Sequence, residues 1–523
     1  YAAWKQALWV INYWQSLHDI AGNPITVVAD ADLPQIGVPG NAVIGQYPDP
    51  ADPTGKKMLP GQPGTYFGDI TIEGWQGLTM LEELQEKAEL LLEHLSTDGG
   101  TLGGFGSTQA AIDYDYQSPL RWFPAAIKVT EQTTAPSPDL ADKYFPQPTS
   151  FTITDASSRL TDLSALAGGF ATYFALTDFE NPDVGANVSS RATFDGDPFP
   201  ADDQLPDGEE TPHDRALALV KVAVIDADRL HFDPAHNVLV DSAQVVGGQI
   251  VRGTTVTTRT AAYAIVGLRT ALRAISSTLA LYSNDTPDTQ DAPTTLDGTP
   301  MTGAPAPLAE RLVALIRAEG DFLADRLTSA DGAVYNGYDL AAGAPDPSPT
   351  RLESEASAIR GLLDAYLATS DEKYRDAAER IYADLDKRFW MDDVRAYRTV
   401  VGVSDGIVWT PMQFASLESA LRQYWKLVAR RPGQERAAND LLTRFARTFK
   451  LVVNGWDDAN SDDKIDYPGE CTGAGLQMAE RSLTGELGRP SDNGDRDHDC
   501  VHEVSQMGLP SALAAQVVLK RMK

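Results

Sequence analysis

The run Asp458-Ala459-Asn460-Ser461-Asp462-Asp463-Lys464-Ile465-Asp466 places oxygen-bearing side chains at steps 1, 3, 5 and 9. That spacing wraps a backbone around a hard cation, with Asp458, Asn460, Asp462 and Asp466 as side-chain ligands and the Lys464 carbonyl at step 7. Glu470 stands close enough behind to be a further candidate ligand. A bound ion offsets the mutual repulsion of so many acids in one turn of chain. A second run, Asn493 to Glu503, repeats the spacing with Asp495, Asp497, Asp499 and Glu503. Calcium is the cofactor both runs predict, and a solvated acidic loop is the competing reading of each. His498 and His502 flank Cys500, but no second Cys–His pair stands at the spacing that zinc requires.

The chain has two cysteines, Cys471 and Cys500. Each directly follows one acidic run, so a disulfide between them is expected. Such a bridge closes a loop worth roughly 3 kcal/mol on the chain-entropy model and fits an oxidising compartment. The first run resembles the calcium loop of dockerin modules and EF-hands. It departs from that pattern at Asp463, where a turn glycine is usual, and at Gly469, where a closing acid is usual. The second run resembles the Asp-rich repeats of thrombospondin-type calcium modules.

The whole chain has 523 residues, 42% of them hydrophobic, and a net charge of −31. It is long enough for a large core. Its acid excess repels nucleic acid and anionic membranes, so neither is an expected partner. A halophilic or marine host would give the same excess. No run of 18 apolar residues is present to span a membrane. The chain starts at Tyr1 rather than Met, as a trimmed product would. With the disulfide, this points to an extracellular or periplasmic protein at the cell surface.

Apolar residues recur at helical steps over 3–20 and 75–95, then over 159–176, 212–230 and 258–283. Further helices are expected at 307–327, 351–369, 371–390, 411–430 and 433–452. Pro, Gly and acidic residues mark loop insertions at 21–70, 99–160, 180–211 and 284–306. Alternating Val and Ile predict a hairpin over 237–252. The stretch 352–374, with Ala377–Tyr382 and Lys387–Trp390, resembles the helical-hairpin unit of (α/α)6 toroids, as in acylglucosamine epimerase-like and YyaL-type proteins and many glycan-active enzymes. The expected fold is therefore all-α dominated: an (α/α)6 toroid of helical hairpins over 1–452, with long loops and short β-hairpins. Residues 453–523 form the calcium and disulfide segment, ending in a helix packed on the toroid.

The toroid resemblance implies a funnel that binds sugars with aromatic platforms and carboxylates. Asp113 and Asp115 are candidate acid and base, with Tyr114, Tyr116 and Trp122 as ligand-binding rings. Asp405, before Trp409, is a third catalytic candidate and Trp409 a fourth ring. The bland reading makes this a packed, Tyr-rich segment with exposed acids. Glu353 and Glu355 suit the first turn of a helix, and Glu418 is expected on an exposed helical face. No histidine lies between 237 and 497, which counts against the histidine-dependent epimerase chemistry of that family. No P-loop, dinucleotide fingerprint, nucleophile elbow or His-Glu-X-X-His appears. The expected role is a calcium-stabilised binding or assembly protein recognising a glycan or a surface protein. Glycoside hydrolase or polysaccharide lyase activity on funnel carboxylates is the alternative. The calcium reading has a direct check: a chelator should lower the melting temperature and added calcium restore it, as scanning calorimetry would record. An unchanged melting temperature would remove the ion.

Overall fold

The computed structural model describes residues 72–132, 147–177, 212–275, 308–392, 395–403, 408–409, 411–454 and 481–482. Its helices are α1 (Ile72–His94), α2 (Thr108–Ile112), α3 (Leu160–Thr177), α4 (Pro212–Asp226), α5 (Thr258–Ile275), α6 (Leu308–Asp325), α7 (Leu352–Thr369), α8 (Glu372–Phe389), α9 (Pro411–Tyr424) and α10 (Glu435–Asn454). A π-helical turn extends α4 over Ala227–His231 and another extends α9 over Trp425–Ala429. The expected helix at 3–20, both acidic runs, Cys471, Cys500 and Asp405 lie outside the described residues.

The helices alternate between two layers. α3, α5, α7 and α9 lie side by side in that order, while α4, α6, α8 and α10 each back the preceding inner helix. This is the helical-hairpin arrangement of an (α/α) toroid, and α1 adds to its outer layer against α4. Burial distinguishes the layers. On α7, 14 of 18 residues are buried, because an inner helix is covered on nearly every side. On α8 the buried residues are Tyr374, Ala377, Ala378, Ile381, Leu385 and Phe389, a single stripe at steps of three and four that faces inward.

Small residues let the inner helices approach closely. A Cβ at Gly361 of α7 would stand 2.8 Å from Ala262 Cα on α5, and one at Gly267 of α5 would meet the Ser164 carbonyl on α3. A charged chain then ties three inner helices together. Arg269 of α5 donates to Asp364 of α7 at 2.7 Å. Arg360, one turn before Asp364, holds the other carboxylate oxygen and donates to Ser419 of α9 at 2.9 Å. Asp364 is 1% exposed, so water cannot replace either partner.

Short antiparallel strands fill the connections. They are β1 (Ser96–Thr97) with β2 (Leu102–Gly103), β3 (Ala126–Gln132) with β4 (Gln147–Asp155), and β5 (Ser158–Arg159), which belongs to a later sheet. Next come β6 (Phe232–Asp233) with β7 (Val238–Leu239), then β8 (Ser242–Val246) and β9 (Gln249–Arg252), which complete the sheet β5-β8-β9. The second three-stranded sheet is β10 (Thr255–Thr257), β11 (Gly337–Asp339) and β12 (Ala344–Pro345). The last pairs are β13 (Trp390–Met391) with β14 (Ala396–Tyr397) and β15 (Val408–Trp409) with β16 (Arg481–Ser482). The hairpin within 237–252 is present. The β3–β4 hairpin lies in a stretch read as loop-rich. Its strands are mostly exposed, and their one alternating apolar face is short, Ile127 and Val129 paired with Ile153 and Phe151.

Extended segments lead into every inner helix: β5 into α3, β10 into α5, Arg351 (bridged to Val400) into α7, and β15 into α9. Two residues bind these entries into a belt. Leu160 N–H donates to the Asp241 carbonyl and Asp241 N–H to Thr255, joining the starts of α3 and α5. The Asn336 carbonyl accepts from Thr258 N–H, and its side-chain oxygen accepts from Arg351 N–H and Ser354 Oγ, joining α5 to α7. Replacing Asp364 by Ala would leave the buried Arg269 guanidinium without its carboxylate and remove one partner of the half-buried Arg360. A loss of about 3–5 kcal/mol is expected, read as a lower urea midpoint; a change below 1 kcal/mol would mean that the ion chain does not hold the inner layer.

Candidate functional site

The first turns of the inner helices lie at the belt end, and the residues left uncovered there share one concave wall. On α5 the incompletely buried positions are Arg259, Tyr263 and Thr270, a helical stripe. On α7 the matching stripe begins at Glu353 and continues to Arg360, both half-buried. On α9 the buried Ser416 and Ser419 back these stripes, and on α3 Asp162 and Leu166 are the next incompletely buried positions after Thr161. Tyr263 Oη lies 3.3 Å from Ser416 Oγ. These contacts, with the Arg360–Ser419 bond, seal the α5–α7–α9 seam so tightly that no water-sized space remains between the helices. Ala262 and Val266 lie beside the polar groups along this seam.

Its electrostatics are those of a crowded site. Burial raises the Tyr263 phenol; its bond to Ser416 and the charges of Arg259 and Arg360 oppose this, while Glu353 adds to it. Asp162 is open to solvent by surface area, yet the surrounding protein still desolvates its carboxyl and raises it, against the pull of Arg159. A carboxyl that is both reachable and raised can donate a proton nearer to neutral pH than an ordinary aspartate. Glu353 stands in the first turn of α7, 3.8 Å from Arg351. A sugar ring presents hydroxyls that carboxylates and guanidinium groups bind through paired hydrogen bonds, and the Tyr263 ring supplies an aromatic surface.

The residues singled out from sequence lie elsewhere. Asp113 caps the end of α2 and accepts from Gln109 Nε2 at 2.9 Å. Asp115 closes a turn, accepting from the N–H groups of Gln117 and Ser118 at 2.8 Å each. The Gln117 N–H leads in lowering its carboxyl. Tyr114 is 4% exposed and Trp122 1%, so neither ring offers a face to a ligand. Tyr114 Oη donates to the buried Asp226 at 2.9 Å, and Trp122 Nε1 to the Ala156 carbonyl at 2.9 Å. Tyr116 donates to Asp228, which Arg311 also holds. This segment is a strap that docks on the outer helix α4. Trp409 pairs through its backbone with Arg481, at the entry to α9.

Glu418 corrects the expectation of an exposed acid. It is fully buried, both carboxyl oxygens lack a hydrogen-bond partner, and burial raises it well above its ordinary value. α9 is an inner helix, so positions off the concave wall face the interlayer core. Glu355 is likewise buried and paired with Arg388; burial, partly opposed by that arginine, pushes it up to about 9. Glu319 of α6 accepts from Leu239 N–H of β7. These acids lie inside the walls, away from any ligand. Sequence reasoning missed Asp162, Arg259, Tyr263 and Arg360. The available signal was their recurrence at helical steps on helices otherwise made of small and apolar residues.

No protein-family model matches the chain, and no curated protein matches it. Among solved structures, it is similar to a D-mannose isomerase at 11% identity and TM-score 0.39, over 71% of this chain and 74% of that one. A GH76 alpha-mannanase from Bacteroides thetaiotaomicron matches at 13% identity and TM-score 0.35, over 72% of each chain. A cellobiose 2-epimerase from Spirochaeta thermophila matches at 12% and 0.36, also over 72% of each. Such likenesses assign no activity to this chain.

The buried acids impose a pH dependence. Burial raises Glu319 from 4.5 to about 8, against the bond from Leu239. Below pH 4.5 the group is protonated in both folded and unfolded chains. As pH rises toward 8 only the unfolded chain ionises, so stability falls across that window and levels off above it. Glu319→Gln should match the wild type at pH 4 and exceed its melting temperature increasingly up to pH 8. Parallel melting curves across the range would refute this.

Proposed function

We propose that the chain is a carbohydrate-active protein that takes a glycan on the concave wall of its inner helices and hydrolyses it there. The observation that carries this reading is the grouping of Arg259, Glu353 and Arg360 around Tyr263, with the solvent-reachable, raised Asp162 in the first turn of the adjoining inner helix α3. In this reading Asp162 protonates the leaving glycosidic oxygen. Glu353 serves as the second carboxylate, activating water or stabilising the positive sugar. Arg259 and Arg360 bind hydroxyl or carboxylate substituents, and Tyr263 orients the ring. The protein belongs, on this proposal, outside the cytosol, with calcium at Asp458–Asp466 stabilising the C-terminal segment.

A second reading keeps the binding and drops the chemistry: a glycan-recognising or assembly protein on the same wall. The sealed α5–α7–α9 seam favours it, since no water-sized space opens between these helices. A glycan array on the calcium-loaded chain, followed by a reducing-end assay on the glycans retained, separates the two. Asp162→Asn should cut hydrolysis by roughly 10²–10⁴-fold while leaving glycan retention in place. Wild-type hydrolysis should decline as pH rises past the raised carboxyl, because the donor loses its proton. Binding without hydrolysis would establish the second reading. Silence on the array, or full activity in Asp162→Asn, would end the first.

A further inference from the structure

Glu353 and Arg259, on α7 and α5 of the concave wall, each lie beside residues held by one short segment, Tyr335-Asn336, which runs into β11. Thr258, the residue before Arg259, donates its N–H to the Asn336 carbonyl at 3.1 Å and its hydroxyl to the Tyr335 carbonyl. On the other side, the Asn336 side-chain oxygen accepts from Arg351 N–H at 3.0 Å and from Ser354 Oγ at 2.8 Å. Arg351 and Ser354 bracket Leu352 and Glu353 at the start of α7. The Asn336 amide nitrogen donates to Ser348 Oγ at 2.8 Å and to the Pro349 carbonyl at 3.0 Å. Ser348 Oγ gives its own proton to Asp346. A carbonyl can only accept and an N–H can only donate, so one setting of the amide satisfies all of these bonds.

α7 depends on this outside support. Its N-cap, Arg351, makes no capping bond with its own side chain, although helix starts favour residues that do. In a capping box the third helical side chain reaches back to the N-cap N–H. Here that residue is Ser354, and its hydroxyl goes to the same Asn336 oxygen that takes the Arg351 N–H. Between them, Leu352 N–H is held by the Thr399 carbonyl at 2.9 Å. Glu353 therefore rides on a turn whose setting comes from a residue outside the helix. The backbone of that same residue fixes the turn that carries Arg259.

We propose that Asn336 is a positioning residue of the glycan site, setting Glu353 against Arg259 and Tyr263 without touching the ligand. This rests on the hydrolytic reading given above. A displacement of about 1 Å at a reacting group costs on the order of 10²-fold in rate.

The test is steady-state kinetics of the full chain on the array glycan that the wild type cleaves fastest, at a temperature where circular dichroism shows every variant folded. Asn336→Ala removes the side-chain bonds and leaves the backbone hold on Thr258. It should lower kcat by about 10- to 100-fold and leave KM within about threefold, since the interaction lost acts in the transition state. The acid limb of its pH profile, set by ionisation of Glu353, should change, while the alkaline limb, set by Asp162, stays. A folding defect would scale the whole profile and keep its shape. Asn336→Asp retains the accepting oxygen and should recover most of the lost rate. Ser354→Ala, which removes one of the two bonds to that oxygen, should fall between wild type and Asn336→Ala. A wild type that cleaves no glycan ends the hydrolytic reading and this proposal with it. A wild type that cleaves, with Asn336→Ala at full rate or with an unchanged profile shape, ends this proposal alone. So does an Asn336→Asp variant no faster than Asn336→Ala.

Discussion

The close approach of the inner helices is the constraint on which the rest of the structure depends. Gly267 and Gly361 stand where a methyl group would strike the neighbouring helix backbone. At that separation no water fits between helices, so every polar group on the seam needs a protein partner. The Arg269–Asp364–Arg360–Ser419 chain answers part of that need, while Arg269 Nε and Nη2 and Ser357 Oγ stay without a hydrogen-bond partner. It also aims Arg360 along the concave wall. The same arrangement that closes the core thereby orients a residue of the candidate site.

The belt of extended segments has a comparable double consequence. Asp241 and Asn336 join successive helix entries, which brings the first turns of α3, α5 and α7 to one end. Asp162 and Glu353 occupy those turns, where a negative charge is favoured by the helix dipole. At Asp162 that preference meets desolvation, and desolvation prevails. A position that stabilises a helix start becomes one whose carboxyl holds its proton more tightly than an ordinary aspartate.

Charge is distributed unevenly across this acidic chain. The concave wall carries Arg259 and Arg360 among its acids. The interlayer core holds acids with few or no partners: Glu418 has none, and Glu319 accepts one backbone N–H. Such groups persist at a cost to stability. The tight packing of small residues and aliphatic side chains around them makes up the difference.

The sequence by itself determined the helices and their layer. Steps of three and four on α8, against the nearly unbroken apolar and small residues of α7, are sufficient because a helix's burial follows from its own spacing. Helix bounds expected from sequence agree with those observed to within a few residues over 308–454. The site was not legible in the same way. Asp113, Tyr114 and Trp122 read as a sugar-binding cluster because they are neighbours in sequence, yet they form a strap whose rings are consumed by the core. Glu418 read as exposed because its own helix does not reveal that both of its sides are covered. Only the tertiary structure decided these points, since the concave wall is assembled from single residues on four helices separated by nearly a hundred positions or by tens of them. Which face of a helix meets its neighbours, and which faces the axis, is settled by packing between segments and not by the order of residues within one.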